Sequence, residues 1–170
     1  MRALLAIFIS ILAATAVRAA DDDLDKQLEK LRSSIPFQPY EEKYPNGRVR
    51  ERGQMRFLGY VCGRAWTDYD GLLEGWYASG AKECEISYKN GARDGVALNW
   101  FPNGKKKYIV TWRKGRRDGD FTVFYDSEVV SAKGHFSEEV VAQAEFFDRA
   151  GTQITRDQWL AIPGNRSFWK

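Results

Sequence analysis

Few residues in this chain are of a type that does covalent or metal chemistry. His135 is the single histidine, and it stands in a strand-like alternating stretch with no flanking motif. A nucleophile–base pair would have to use it. A zinc site would need more nitrogen or sulfur ligands than His135, Cys62 and Cys84 supply at these spacings. No glycine loop is placed to cradle phosphate, because the glycines recur at spacings that hairpin turns explain. Glu138 and Glu139 adjoin where a turn is expected, and solvated charge accounts for them. These residues point away from an enzyme, and neither metal nor cofactor is expected. Cys62 and Cys84 can be read as one disulfide in an oxidising compartment or as two separate buried thiols.

What remains is surface. Lys105, Lys106, Lys107, Arg113, Lys114, Arg116 and Arg117 place seven cations within thirteen residues. A two-stranded hairpin would gather them at its turn and outer face, beside Tyr108 and Trp112. One reading is that lysines on exposed edges and turns discourage strand-to-strand aggregation. The other is an electrostatic footprint for an acidic protein or an anionic membrane surface. Under the second reading the contact residues are Lys105, Lys106, Tyr108, Trp112, Arg113, Lys114, Arg116 and Arg117.

The elements that position this surface follow from the rest of the chain. Residues 1–20 join a short basic start at Arg2 to an apolar run from Leu4 to Ala14 and small residues at Val17 and Ala19. That is the layout of a secretory signal peptide, cleaved near Ala19 or Ala20, and the run is short for a membrane span. A periplasmic or secreted location is expected. The 26 Lys and Arg, less Arg2 and Arg18, leave 24 against 23 Asp and Glu. Near-neutrality removes the basis for a nucleic-acid partner.

Residues 21–43 are expected to hold a short helix and a linker. Leu24, Leu28 and Leu31 recur at helical spacing, acids crowd the amino end, and Pro36 and Pro39 follow. The leucine stripe is expected to dock on the first hairpins or on a partner. From 44 to 150 the chain repeats itself. Trp76-Tyr77-Ala78-Ser79-Gly80 matches Trp100-Phe101-Pro102-Asn103-Gly104 at an offset of 24, with Phe124-Tyr125 another 24 on and Phe146-Phe147 a further 22. Tyr44-Pro45-Asn46-Gly47 is an earlier partial copy. A second element recurs as Asn90-Gly91-Ala92-Arg93-Asp94-Gly95 and Lys114-Gly115-Arg116-Arg117-Asp118-Gly119, with Asp70 to Gly75 before them. Each Asn-Gly and Asp-Gly is read as a strand reversal, since glycine tolerates the positive φ of tight turns.

Between turns the period is two. Tyr108, Val110 and Trp112 share a face with Cys84, Ile86 and Tyr88 one repeat earlier, and Ile109, Thr111 and Arg113 lie opposite. Most of Trp76, Trp100, Trp112, Tyr77, Tyr88, Phe101 and Tyr125 are expected in the core. A single sheet cannot bury both faces, so some are expected outside it. Residues 137–149 fit a strand or a helix, and the repeat register favours a strand. Residues 151–170 form a tail in which Thr155-Arg156-Asp157-Gln158 resembles a capping box, opening a helical turn that covers the array's open edge. The fold class is all-β: an antiparallel meander of about five β-hairpin repeats with short terminal helices.

The run from Tyr77 to Tyr125 resembles MORN-type repeats of the bacterial variant. Trp100-Phe101-Pro102-Asn103-Gly104-Lys105 and Tyr88-Lys89-Asn90-Gly91-Ala92-Arg93-Asp94-Gly95 carry the match. The resemblance covers roughly residues 44 to 147. It implies a meandering single-layered sheet and roles in protein–protein contact, scaffolding or membrane association. The variant is also similar to antitoxins that neutralise a toxin encoded beside them. With an exported chain, that analogy implies an immunity protein acting on a secreted toxin or effector.

Overall fold

The computed structural model describes residues 23–61, 64–165 and 168. They fall in two units, residues 1–36 and 37–170. The expected leader and Cys62 lie outside the described residues.

In the first unit, helix α1 covers residues 23–34. The Ser33 and Ser34 hydroxyls donate to the carbonyls of Glu29 and Leu31 at 2.7 and 2.6 Å, serving backbone acceptors that a helix end leaves free. Leu24, Leu28 and Leu31 are all more than half exposed.

The second unit is one antiparallel sheet of ten strands in sequence order. They are β1 Gln38–Lys43, β2 Val49–Val61, β3 Arg64–Trp76, β4 Lys82–Lys89, β5 Ala92–Trp100, β6 Lys106–Arg113, β7 Arg116–Phe124, β8 Val130–Ser137, β9 Val140–Phe147 and β10 Gln153–Ile154. A short helix, α2 Arg156–Ala161, follows. The all-β meander read from the repeats is the architecture, and β9 settles the ambiguous segment as strand.

Two kinds of turn alternate along the sheet. At one end, five turns share one pattern, in which an aromatic or aspartate N–H donates to the carbonyl four residues on. These are Tyr44 to Arg48, Tyr77 to Ala81, Phe101 to Lys105, Tyr125 to Val129 and Asp148 to Thr152, each 2.8 or 2.9 Å. The last shows that Phe147, not Phe146, is the counterpart of Phe124. At the other end sit two-residue turns: Asn90-Gly91, Lys114-Gly115 and Glu138-Glu139, with φ positive at both positions. That is the type I′ geometry whose twist matches its flanking strands.

The Asp-Gly pairs are not turns, contrary to the sequence reading. Gly71, Gly95 and Gly119 lie inside β3, β5 and β7 with φ of 71°, 111° and 126°, close to irregularities in strand register. Extra residues of this kind kink and twist a strand without reversing it. The aspartate before the glycine has its own task. Asp70 Oδ1 accepts from the Asn90 N–H at 2.9 Å, and Asp94 Oδ2 from the Lys114 N–H at 3.2 Å. Each carboxylate thus holds the type I′ turn of the following hairpin.

A second tie joins repeats at the opposite end. The Tyr44, Tyr77 and Tyr125 hydroxyls donate to the carbonyls of Trp76, Trp100 and Phe147 at 2.9, 2.7 and 2.8 Å. At the equivalent position Phe101 has no hydroxyl.

Register fixes the faces. Leu73, Ile86, Ala97, Val110 and Phe121 form one row, and Cys84, Asn99, Tyr108, Val123, Ala132 and Phe146 the next row on the same side. The predicted sharing of a face by Cys84, Ile86, Tyr108 and Val110 holds. This inner face carries the core of Ala97, Val110, Phe121, Val123, Ala132, Phe136 and Phe146, closed by Trp159 of α2. Trp159 is fully buried; its ring packs on Phe146 at 5.3 Å, and its Nε1–H donates to Ser131 Oγ at 2.8 Å. The predicted capping box is formed by Thr155 and Gln158. The helix it opens delivers a tryptophan to the inner face.

Candidate partner-binding surface

The basic run does not make one patch. β6 separates its two halves: Lys105 and Lys106 stand at the tyrosine-tie end, and Arg113, Lys114, Arg116 and Arg117 at the type I′ end. Eight strand residues at about 3.3 Å each put roughly 25 Å between them. Most of these cations also have acid partners. Lys105 pairs with Glu128 at 3.7 Å, Arg113 with Asp118 at 2.9 Å, Arg116 with Glu138 at 3.9 Å and Arg117 with Glu139 at 2.7 Å. Tyr108 and Trp112 lie on the inner face, half-buried. Tyr108 packs on Phe168 at 5.6 Å. Trp112 carries the Arg93 guanidinium 4.7 Å from its ring, and its buried Nε1 has no acceptor among the described residues.

Glu139 shows how firmly the turns are knit. Burial pushes its carboxyl pKa up, but the Arg117 backbone N–H, 2.5 Å from Oε1, and the Arg117 guanidinium prevail and leave it below the ordinary range. A carboxylate with a lowered folded pKa stabilises above its unfolded pKa and stops doing so as pH falls through the folded value. Glu139→Gln should therefore lower the unfolding free energy from urea denaturation at pH 7 by less than about 1 kcal/mol, because the pair is partly exposed. The difference should shrink as pH falls below the ordinary carboxylate range, and a gap that stays constant through acid would show that charge is not its source.

His135 stands exposed on the outer face, its Nδ1 2.8 Å from Asp120 Oδ1. Beside it are Thr122, Lys133, Gln143 and Glu145 on an open shallow surface. Cys84 carries a free thiol. It is paired with Gly75, near the opposite end of β3 from Arg64. Burial pushes this thiol up to about 11, which makes it a poor nucleophile at neutral pH.

The outer face holds what the sequence reading assigned mostly to the core. The Arg52 guanidinium lies 4.9 Å from the Trp76 ring, and Lys82 Nζ lies 5.7 Å from Trp76 and 5.8 Å from Trp100. Lys106 is exposed and opposes Trp100 in register, and Lys133 lies 5.5 Å from Phe147. Aromatic and cation thus alternate across successive repeats. Glu74 orders the cations, meeting Arg52 at 2.9 Å and Lys82 at 2.7 Å, with Glu85 also on Lys82. The Lys82 hydrogen bond is the largest influence holding the Glu74 carboxyl below its ordinary range. Leu72 and Val96, 49% and 43% exposed, extend the face, with half-buried Leu98 and Ile109 between them and the tryptophans.

This alternation follows from the repeat. A strand residue two places from an outward one also faces outward, so Glu74, Leu98 and Thr122 carry Trp76, Trp100 and Phe124 to the same side. The signal was present in the sequence at Trp76-Tyr77 and Phe124-Tyr125, where the first member points outward while the second supplies the tie, and at Trp100, which precedes Phe101. Half-buried tryptophan beside arginine, ringed by polar groups, is the composition at which binding energy concentrates.

Residues 93–114 match the family model of the MORN repeat variant. The chain carries a MORN-type repeat. The matched segment runs from within β5 through β6 to the first residue of the Lys114-Gly115 turn, so it spans the Trp100 turn and one complete interval between the Asp94 and Lys114 partners. Outside it, the Phe101 turn bond has counterparts at Tyr44, Tyr77 and Tyr125, and the Asp94–Lys114 bond has one at Asp70–Asn90. No curated protein and no solved structure matches the chain.

Proposed function

We propose that this is a non-enzymatic protein of the immunity or antitoxin kind, exported to the periplasm, which neutralises a secreted toxin or effector by direct protein–protein contact. The observation that carries the reading is the outer face: tryptophans at successive repeats, each flanked by a cation, with Leu72 and Val96 exposed beside them. An inhibitor of this kind needs no catalytic group, only a complementary surface of about 1,200–2,000 Å² in total. Export rests on the leader-like residues 1–20, and the antitoxin step on the resemblance of the repeats.

A lipid-surface role would draw on concentrated positive charge, each residue worth about 1 kcal/mol at an anionic leaflet. Division of the cations between two ends of β6, and their ion pairs, favour the protein partner instead.

The test is protection. The product of the adjacent gene, directed to the periplasm, should arrest growth, and co-expression of this chain should restore it. Trp76→Ala/Trp100→Ala, verified as folded by circular dichroism, should weaken binding to that product about thirtyfold or more, as loss of hot-spot residues does. Reversal of Arg113, Lys114, Arg116 and Arg117 to Glu should matter far less. Undiminished protection by the tryptophan variant would discard the surface, and flotation of the protein with anionic vesicles would favour the lipid role.

A further inference from the structure

One repeat lacks its tie, and a cavity lies there. Tyr44, Tyr77 and Tyr125 each give a hydroxyl to the carbonyl of an outward aromatic of a following repeat. Phe101 stands where that hydroxyl would reach the Phe124 carbonyl. Beside it is a cavity of about 340 Å³ lined by Phe101, Lys107, Tyr108, Phe124, Tyr125 and Phe168, among others.

Five of its twelve lining residues are aromatic, and its charged lining residues are Lys107, Arg149 and Asp126. Arg149 also lines it but is committed, with its guanidinium 2.8 Å from Asp126 Oδ1 and 4.9 Å from the Tyr125 ring. Lys107 lies 5.8 Å from the Phe101 ring and has no acid partner among the described residues. The Tyr108 hydroxyl likewise has no hydrogen-bond partner among them. Burial raises the Tyr108 pKa, so the hydroxyl stays a donor. Apolar walls with a few convergent polar groups are the usual make-up of a small-molecule site. A space of about 150 Å³ suffices for a benzene ring, which leaves room here for a ring and an acidic group.

We propose that this cavity binds a small aromatic carboxylate, its ring among Phe101, Tyr108 and Phe168 and its carboxylate on Lys107, with the Tyr108 hydroxyl as second donor. The site is separate from the outer face: it opens where the inner-face aromatics meet the chain after α2. Phe101 is what keeps it open, because a tyrosine there would place a hydroxyl at the Phe124 carbonyl, as in the other repeats.

Isothermal titration of the mature chain with phenylacetate, phenylacetamide and hexanoate tests the assignment. Saturable phenylacetate binding is expected, with the neutral amide and the alkyl acid each about tenfold weaker or more, as loss of a charge-assisted hydrogen bond or of ring contacts implies. Lys107→Met should weaken phenylacetate about tenfold and leave phenylacetamide unchanged. Phe101→Tyr should raise the melting temperature and reduce phenylacetate binding. Absence of saturable phenylacetate binding would overturn the proposal, as would equal binding of acid and amide. Full phenylacetate affinity in both variants, with their folds verified, would place any binding elsewhere and overturn it equally.

Discussion

Replacing Gly134 with alanine is expected to lower the melting temperature by about 10 °C or more. Gly134 lies within β8, paired with Ala144 of β9. A Cβ there would sit 2.1 Å from the Gln143 carbonyl oxygen, 2.8 Å from the Ala144 Cα and 2.9 Å from Phe121 Cε1. The first two are backbone and cannot rotate away, so β9 must move and Phe121 must yield with it. Phe121 is almost fully buried and packs on Phe136 at 4.8 Å, so the displacement reaches the centre of the core. Forced overpacking costs about 1–3 kcal/mol and occasionally more, and a backbone clash belongs at the upper end. In a domain of this size 1 kcal/mol moves the melting temperature by about 2–4 °C. Gly104→Ala is the control, because its Cβ meets nothing within 4 Å and only its φ of +81° opposes the change, at about 1–2 kcal/mol. Equal melting temperatures for the two variants would contradict the close packing of β8 on β9.

The second large effect is expected at Asp68. Its carboxylate meets Arg56 Nε at 3.0 Å, and the two side chains are 5% and 4% exposed. The Arg56 guanidinium also lies 4.5 Å from the Phe37 ring. Asp68→Ala leaves the guanidinium buried without this counter-ion, which costs about 3–5 kcal/mol in comparable buried pairs. Replacing both charges with apolar groups, as in Arg56→Met/Asp68→Leu, removes the buried charge along with the attraction. That double variant should denature in urea within about 1 kcal/mol of the parent or above it. An Asp68→Ala midpoint close to the parent's would show that the pair is not shielded from water.

Both effects arise where the sequence alone was least informative. Gly134 has no turn residue beside it and an unremarkable position in an alternating stretch. Only the register that sets it against Ala144 reveals the clash. Arg56 and Asp68 are 12 residues apart on adjacent strands, with no motif linking them.

The repeat itself was legible. Asn90-Gly91 and Lys114-Gly115 gave the type I′ turns, the offset of 24 gave the strand pairing, and alternation gave the faces of Cys84, Ile86, Tyr108 and Val110. The Asp-Gly pairs were misread because glycine serves positive φ in a bulge as well as in a turn. Sequence shows the glycine but not the turn N–H that Asp70 or Asp94 accepts from. The basic run was misread for a related reason. Lys105 and Arg117 are near in sequence but stand at opposite ends of a hairpin, and the acids facing the arginines, Glu138 and Glu139, arrive from the next repeat. The tryptophans were assigned mostly to the core on hydrophobicity. Their places two residues beyond Glu74 and Leu98 set them on the outer face instead, and neighbouring lysine and arginine side chains cover them in part.

Hydroxyl-radical footprinting of the protein, free and with the adjacent gene's product, measures the outer face directly. The free protein should be oxidised readily at Trp76, Trp100 and Leu72 and scarcely at Trp159, and the complex should lose labelling at the first three. Protection confined to the Arg113–Arg117 turn, with Trp76 and Trp100 labelled as before, would contradict the account.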